Sequence, residues 1–221
     1  EIRLSLVGSE MCIRDSYKSA TSQKYDRIIT RFACELGHPK RNQETPLGNL
    51  IADILRDSCG IDLMLMGSGA IRSYSLGPVV HYADLVECLP YDDAVYMLKV
   101  TGAQLERMLR HVLRDEAFQG EHTEFYQFSH GMRIVWSRSA QTFRTLTLDG
   151  EALYADRLYT VAMQKYHYNN LKAFLNITLE EAEENGRTRV LSTSARDVVE
   201  EYLMVNQHLN RRVEGRLVVE D

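Results

Sequence analysis

The stretch from Arg41 to Arg72 constrains the fold more than any other part of the chain. Thr45 is a favourable helix N-cap, and Pro46 falls at the first helical position, where a missing N–H costs nothing. Leu47, Leu50, Ile51, Ile54 and Leu55 then recur at i, i+3, i+4, i+7 and i+8, the spacing of one apolar helix face. Gly60 stops that helix. Ile61–Met66 (IDLMLM) reads as a short, mostly buried strand, and Gly67–Ser73 (GSGAIRS) as a tight turn carrying Arg72. Helix, strand and turn together predict that Arg41 and Arg72 approach each other.

The 221-residue chain is long enough to bury a sizeable core. A net charge of −5 offers no basic face for broad nucleic-acid binding. No apolar run approaches the roughly 18 residues that a membrane span needs. The cysteines (Cys12, Cys34, Cys59, Cys88) have neither CxxC nor zinc-ligand spacing, so buried free thiols are expected. Discounting Cys12 leaves an odd count, which favours a reducing, cytoplasmic location over an extracellular or periplasmic one.

Residues 1–16 fit nothing that follows. The string LSLVGSEMCIRDS resembles translated adaptor read-through at the ends of open reading frames, so a non-native or disordered extension is expected there. Residues 17–221 then form one α+β unit. Lys24–Leu36 reads as a strand or short helix, Pro78–His81 as a brief strand, Tyr82–Leu89 as a helix and Ala94–Val100 as a strand. Thr101 and Gln104 make a capping box, opening a helix with Leu105, Met108, Leu109, Val112 and Leu113 inward. Asp115–Glu124 reads as an exposed loop. Met132–Trp136 and Phe143–Leu148 are strand-like, with Asp149-Gly150 as the hairpin turn into a third short strand. Leu158–Met163 is another strand, Leu179–Asn185 an acidic helix closed by Gly186, Ala195–Asn206 an amphipathic helix and Arg216–Val219 a last strand.

GxSxG, HExxH, GxGxxG and a P-loop lysine are all missing. The seven histidines are scattered, and His122 beside Glu121 and Glu124 lacks metal-ligand spacing. No catalytic residue and no metal site are therefore expected. Three features do suggest a ligand. Arg41 precedes a helix N-terminus and Arg72 ends a glycine turn, a setting suited to phosphate or carboxylate. Leu89–Ala94 (LPYDDA) presents Tyr91, and the loop Lys165–Phe174 (KYHYNNLKAF) presents Tyr166 and Tyr168. Taken singly, each arginine is better read as a surface charge and each tyrosine as packing at a strand end. Together, two tyrosines on separate loops could sandwich a planar base, each contributing on the order of 1–3 kcal/mol.

ETPLGNLIAD, GSGAIRS, LPYDDAVYMLKVTGAQL and LYTVAM with its aromatic loop, in this order, resemble the C-terminal domain of the 5′-nucleotidase family, which includes UDP-sugar hydrolases and 2′,3′-cyclic-nucleotide phosphodiesterases. The resemblance runs from about Lys24 to the end. It implies an α+β fold with a mixed β-sheet flanked by helices. It also implies a substrate-binding domain whose partner is a separate N-terminal metallophosphatase domain. Divalent metals would belong to that domain, with no cofactor in this chain. By the same resemblance the substrate-binding residues are Arg41, Arg72, Tyr91, Asp93 and Tyr166, with Tyr168 replacing Tyr166 if the placement slips by two. Tyr91 stands where the family has a phenylalanine, and Asp93 where it has an asparagine. Gly67 replaces an asparagine, and Lys172 stands where an aspartate commonly contacts the ribose, a charge reversal that puts substrate identity in question.

The expected function is nucleotide or nucleoside binding for a nucleotide-hydrolysing metallophosphatase, with the chain alone inactive. The alternative is a stand-alone nucleotide-binding or partner-docking module. Neither a nucleic-acid nor a membrane partner is expected.

Overall fold

The computed structural model describes residues 24–118 and 124–221. The expected extension at 1–16 lies outside the described residues, as do His122 and Glu121.

Among the described residues, β1 (Ile28–Arg31) and β2 (Leu36–Gly37) are followed by α1 (Pro46–Cys59) and β3 (Leu63–Gly67). Both helix-end expectations hold. The Thr45 side chain accepts from the Gly48 N–H, and Gly60 closes α1 in the left-handed conformation at φ 63°. After a single 3₁₀ turn at Ser68–Ala70 come β4 (Ser75–Leu76), β5 (Val79–His81), α2 (Tyr82–Cys88), β6 (Val95–Thr101) and α3 (Gly102–Val112). The capping box at α3 is reciprocal: Thr101 Oγ1 accepts from Gln104 N, and Gln104 Oε1 accepts from Thr101 N. Next are β7 (Tyr126–Phe128), β8 (Met132–Ser137), β9 (Thr142–Leu148), β10 (Glu151–Ala152) and β11 (Leu158–Gln164). The chain ends with α4 (Lys165–Tyr168), α5 (Leu171–Leu175), α6 (Leu179–Glu183), β12 (Arg189–Ser192), α7 (Ala195–Val205) and β13 (Leu217–Glu220).

The main sheet has five strands in the order β12-β6-β11-β3-β7. It is mixed: β11 runs parallel to β3, while β6, β7 and β12 pair antiparallel with their neighbours. A second sheet has the order β10-β9-β8-β13. Strand β3 is buried on both faces, and its alternation divides the core. Met64 and Met66 join a cluster with α1, α2 and α7 residues such as Ile51, Leu85 and Leu203. Leu63 and Leu65 join Leu105, Leu109, Trp136 and Leu171 on the other side. Two cores thus fix β3 in register, because a one-residue slip would exchange their side chains.

Several elements depart from expectation. Strands β4, β7 and β12 have no counterpart in the sequence pattern, and part of the polar stretch before β7 folds as a 3₁₀ turn at Asp115–Phe118 with Ala117 buried. The aromatic segment Lys165–Phe174 is not a loop but lies in the two short helices α4 and α5. His167, Leu171 and Leu175 are buried at i, i+4 and i+8, a helical stripe hidden by counting the histidine as polar.

Candidate functional site

The parallel pair β3 and β11 ends side by side, at Gly67 and Gln164, with Met163 of β11 opposite Leu65 of β3. The glycine turn continues one strand and α4 continues the other. A cavity of about 590 Å³ opens at these carboxyl ends, the usual position for a ligand where parallel strands end. All five expected site residues, Arg41, Arg72, Tyr91, Asp93 and Tyr166, line it.

Buried polar side chains hold the two arginine-bearing segments together. Gln127 of β7 accepts from Thr45 N and donates through Nε2 to Gln43 O and Ser68 Oγ. His38 lies between the same segments, with Nδ1 2.8 Å from Thr45 Oγ1 and Nε2 3.1 Å from Ser68 O. A carbonyl can only accept, so Nε2 carries the proton and the threonine hydroxyl donates to Nδ1. The Arg72 N–H donates to Cys88 O, fixing the end of the turn. Tying Thr45 and Ser68 to one histidine and one glutamine is what brings Arg41 to the glycine turn.

Burial lowers the His38 pKa from its ordinary 6.5, helped by the nearby Arg41 charge and opposed by the bond to Ser68. The folded state therefore binds this proton less readily than the unfolded chain. Its contribution is complete above the ordinary imidazole value and declines as pH falls through that value towards the lower folded one. We expect stability to drop across that acid window and the drop to shrink in His38→Gln, measured by urea unfolding at several pH values. Equal slopes in both proteins would discount His38 as the cause.

The aromatic side of the cavity is braced in the same way. Asp92 accepts from the Ser194 hydroxyl and pairs with Arg196 at 3.1 Å, fastening the Tyr91 turn to the start of α7. Asp93 O accepts from Ala195 N, and Lys165 N donates to Ala94 O at 2.8 Å. Asp93 Oδ2 lies 3.4 Å from the Tyr166 N–H, so the carboxylate joins the two tyrosine-bearing segments. Tyr91 and Tyr166 are 54% and 53% exposed, presenting ring surface to the cavity. The Arg72 guanidinium lies 5.8 Å from the Tyr91 ring centroid. Tyr168 faces elsewhere: it stacks on Tyr96 at 4.1 Å, and its hydroxyl meets Thr188. Of the two tyrosines, Tyr166 is the one at the cavity.

Lys172 is not in the cavity wall. Its Nζ meets Asn176 Oδ1 at 3.1 Å, and the cavity lysine is Lys165 instead. Arg41, Arg72 and Lys165 therefore give the cavity three cations, none in a salt bridge among the described residues. Two further residues of the cavity wall carry no signal in the sequence. His167 and Glu124 meet at 2.9 Å, with side chains 3% and 23% exposed. A histidine among seven scattered ones and a glutamate in a polar stretch gave no signal of their meeting.

Among the described residues no group of three or more His, Cys, Asp or Glu side chains is disposed to hold a metal, and no helix is long and apolar enough to cross a membrane.

The fold is that of an α+β domain with a cation-lined cavity at the ends of its parallel strands. A family model, "5′-nucleotidase, C-terminal domain", matches residues 22–177. The chain belongs to that family. It is 26% identical over 163 residues to endonuclease YhcR of Bacillus subtilis, a match covering 69% of this chain and 13% of that protein. Its fold is similar to a 5′-nucleotidase precursor from Thermus thermophilus (TM-score 0.75, 18% identity, covering 93% of this chain and 42% of that one). It is also similar to NAD nucleotidase of Haemophilus influenzae (TM-score 0.72, 12% identity, covering 96% and 41%). The chain thus spans less than half the length of each of these relatives.

Proposed function

We propose that the chain is the nucleotide- or nucleoside-binding domain of a nucleotide-hydrolysing metallophosphatase. Divalent metals and the hydrolytic groups would reside in a separate N-terminal domain. The observation that carries this reading is the placement of three cations and two exposed tyrosine rings around one cavity. Arg41, Arg72 and Lys165 would meet phosphate oxygens, the arginines through forked N–H donors. Tyr91 and Tyr166 would hold the base, with Asp93, beside Tyr166, accepting from the base. Two of the similar structures are called nucleotidases, and the curated relative an endonuclease, which supports a nucleotide as ligand class. Cys34, Cys59 and Cys88 are free thiols, which suits a reducing, cytoplasmic setting, but of the expected buried set only Cys88 is buried, Cys59 being partly buried and Cys34 exposed.

The test is titration with adenosine, AMP, UMP and UDP-glucose, followed by tyrosine fluorescence and thermal shift. AMP should bind more tightly than adenosine. Tyr91→Ala should weaken both by about 1–3 kcal/mol, the range for losing one stacking contact. Arg72→Ala should weaken AMP selectively. Unchanged binding in both variants would place the ligand elsewhere. Added Mn²⁺ or Zn²⁺ should give this chain no phosphatase turnover.

A further inference from the structure

The Glu124–His167 pair adds something that the arginines and tyrosines do not: an oriented acceptor beside the cations. Glu124 Oε1 lies 3.5 Å from where a Cβ on Gly69 would sit, and Arg41 Nη1 lies 3.9 Å from the same point. One ligand fragment over Gly69 therefore meets a guanidinium and a carboxylate at once. A carboxylate oxygen accepts hydrogen bonds, so this fragment must carry a donor next to its anionic group. The other cavity carboxylate, Asp93, already receives the Tyr166 N–H.

His167 sets the Glu124 orientation. Its Nε2 meets Glu124 Oε2 at 2.9 Å, and its ring lies edge-on to Tyr126 at 5.0 Å and tilted against Phe174 at 5.8 Å. The imidazole also lies directly over Gly67. A Cβ at that position would be 2.6 Å from Nε2 and closer still to Cε1. Glycine at 67 is thus the condition for this imidazole position, and the ring in turn holds the glutamate at the cavity wall.

Building on the nucleotide reading, we propose that Glu124 is a specificity-determining residue of this cavity and that His167 is its positioning residue. Glu124 accepts from sugar hydroxyls next to the ligand's phosphate. The site therefore takes nucleoside phosphates with a free vicinal diol and disfavours those whose diol is deleted or phosphorylated.

Isothermal titration with AMP, 2′,3′-dideoxy-AMP and adenosine 3′,5′-bisphosphate tests this. The native chain should prefer AMP to the dideoxy nucleotide by about tenfold or more, the worth of a hydrogen bond to a charged group. The bisphosphate should also bind less tightly than AMP. In Glu124→Ala the ratio of the AMP and dideoxy dissociation constants should collapse towards one. His167→Leu, and independently Gly67→Ala, should lower the same ratio while circular dichroism stays native. A native chain that binds AMP and the dideoxy nucleotide equally, or a Glu124→Ala chain that keeps the preference, overturns the Glu124 role and leaves the nucleotide reading standing. Failure of the native chain to bind any of the three overturns both.

Discussion

Replacing Arg216 by methionine is expected to destabilise the protein by about 3 kcal/mol, at the lower end of the range for breaking a buried ion pair. The Arg216 and Asp53 side chains are 3% and 4% exposed, and the guanidinium grips both carboxylate oxygens, at 2.6 and 2.9 Å. It also donates to Phe128 O at 2.8 Å. Asp53 and Glu214 hold the Arg216 proton more firmly than burial works to remove it, so its pKa is raised. Without the arginine, Asp53 would still receive His130 N and Arg211 Nε, which limits the loss. Urea unfolding should show a lower midpoint with an unchanged slope. The Asp53→Leu/Arg216→Met double variant should recover part of the loss, because no buried charge is left behind. A loss under about 1 kcal/mol in the single variant would show the pair to be worth no more than a surface one.

Gly48→Val should be comparably damaging, by about 3 kcal/mol, although glycine is itself a poor helix former. Removing a helical glycine gains at most about 1 kcal/mol. Against that gain stands Gln127: a Cβ at 48 would lie 2.5 Å from its Cγ and Cδ. Gln127 is 1% exposed and cannot swing into solvent. Forcing it aside adds overpacking strain of about 1–3 kcal/mol. It also breaks bonds to Thr45, Gln43 and Ser68 worth about 1 kcal/mol each. Those bonds hold the Arg41 and Arg72 segments together, so nucleotide affinity should fall along with the melting temperature. A Gly48→Val chain as stable as the native one would mean that Gln127 has a second place to go.

Much of this was legible in the sequence. Helix α1 announced itself because Thr45, Pro46 and Gly60 mark its ends by local chemistry that packing need not supply. Asn49 and Asp53, within the block that carried the family resemblance, proved to be ties to the C-terminal segment. Asn49 Nδ2 donates to Glu44 Oε1 and Arg212 O, and Asp53 meets Arg211 and Arg216. The Glu44 bond is local, but those to Arg211, Arg212 and Arg216 span 158–163 residues of chain and leave no local trace. Strand β7, only three residues long, is defined by what covers it rather than by any alternation of its own. At the cavity, the residues of conspicuous chemistry are legible in the sequence. His38, Gln127, Glu124 and His167 are not, because their importance lies in which neighbour each one faces.

The parallel pairing of β3 with β11 has a consequence for how selectivity could change. Both walls of the hollow are carried by strand ends whose alignment is guarded by apolar packing on either side. Exchanges at positions 124 and 165 would rewrite the chemical lettering at the rim while the frame beneath keeps its alignment. A scaffold arranged in this way can serve different small anions in turn, with no need to refold for each.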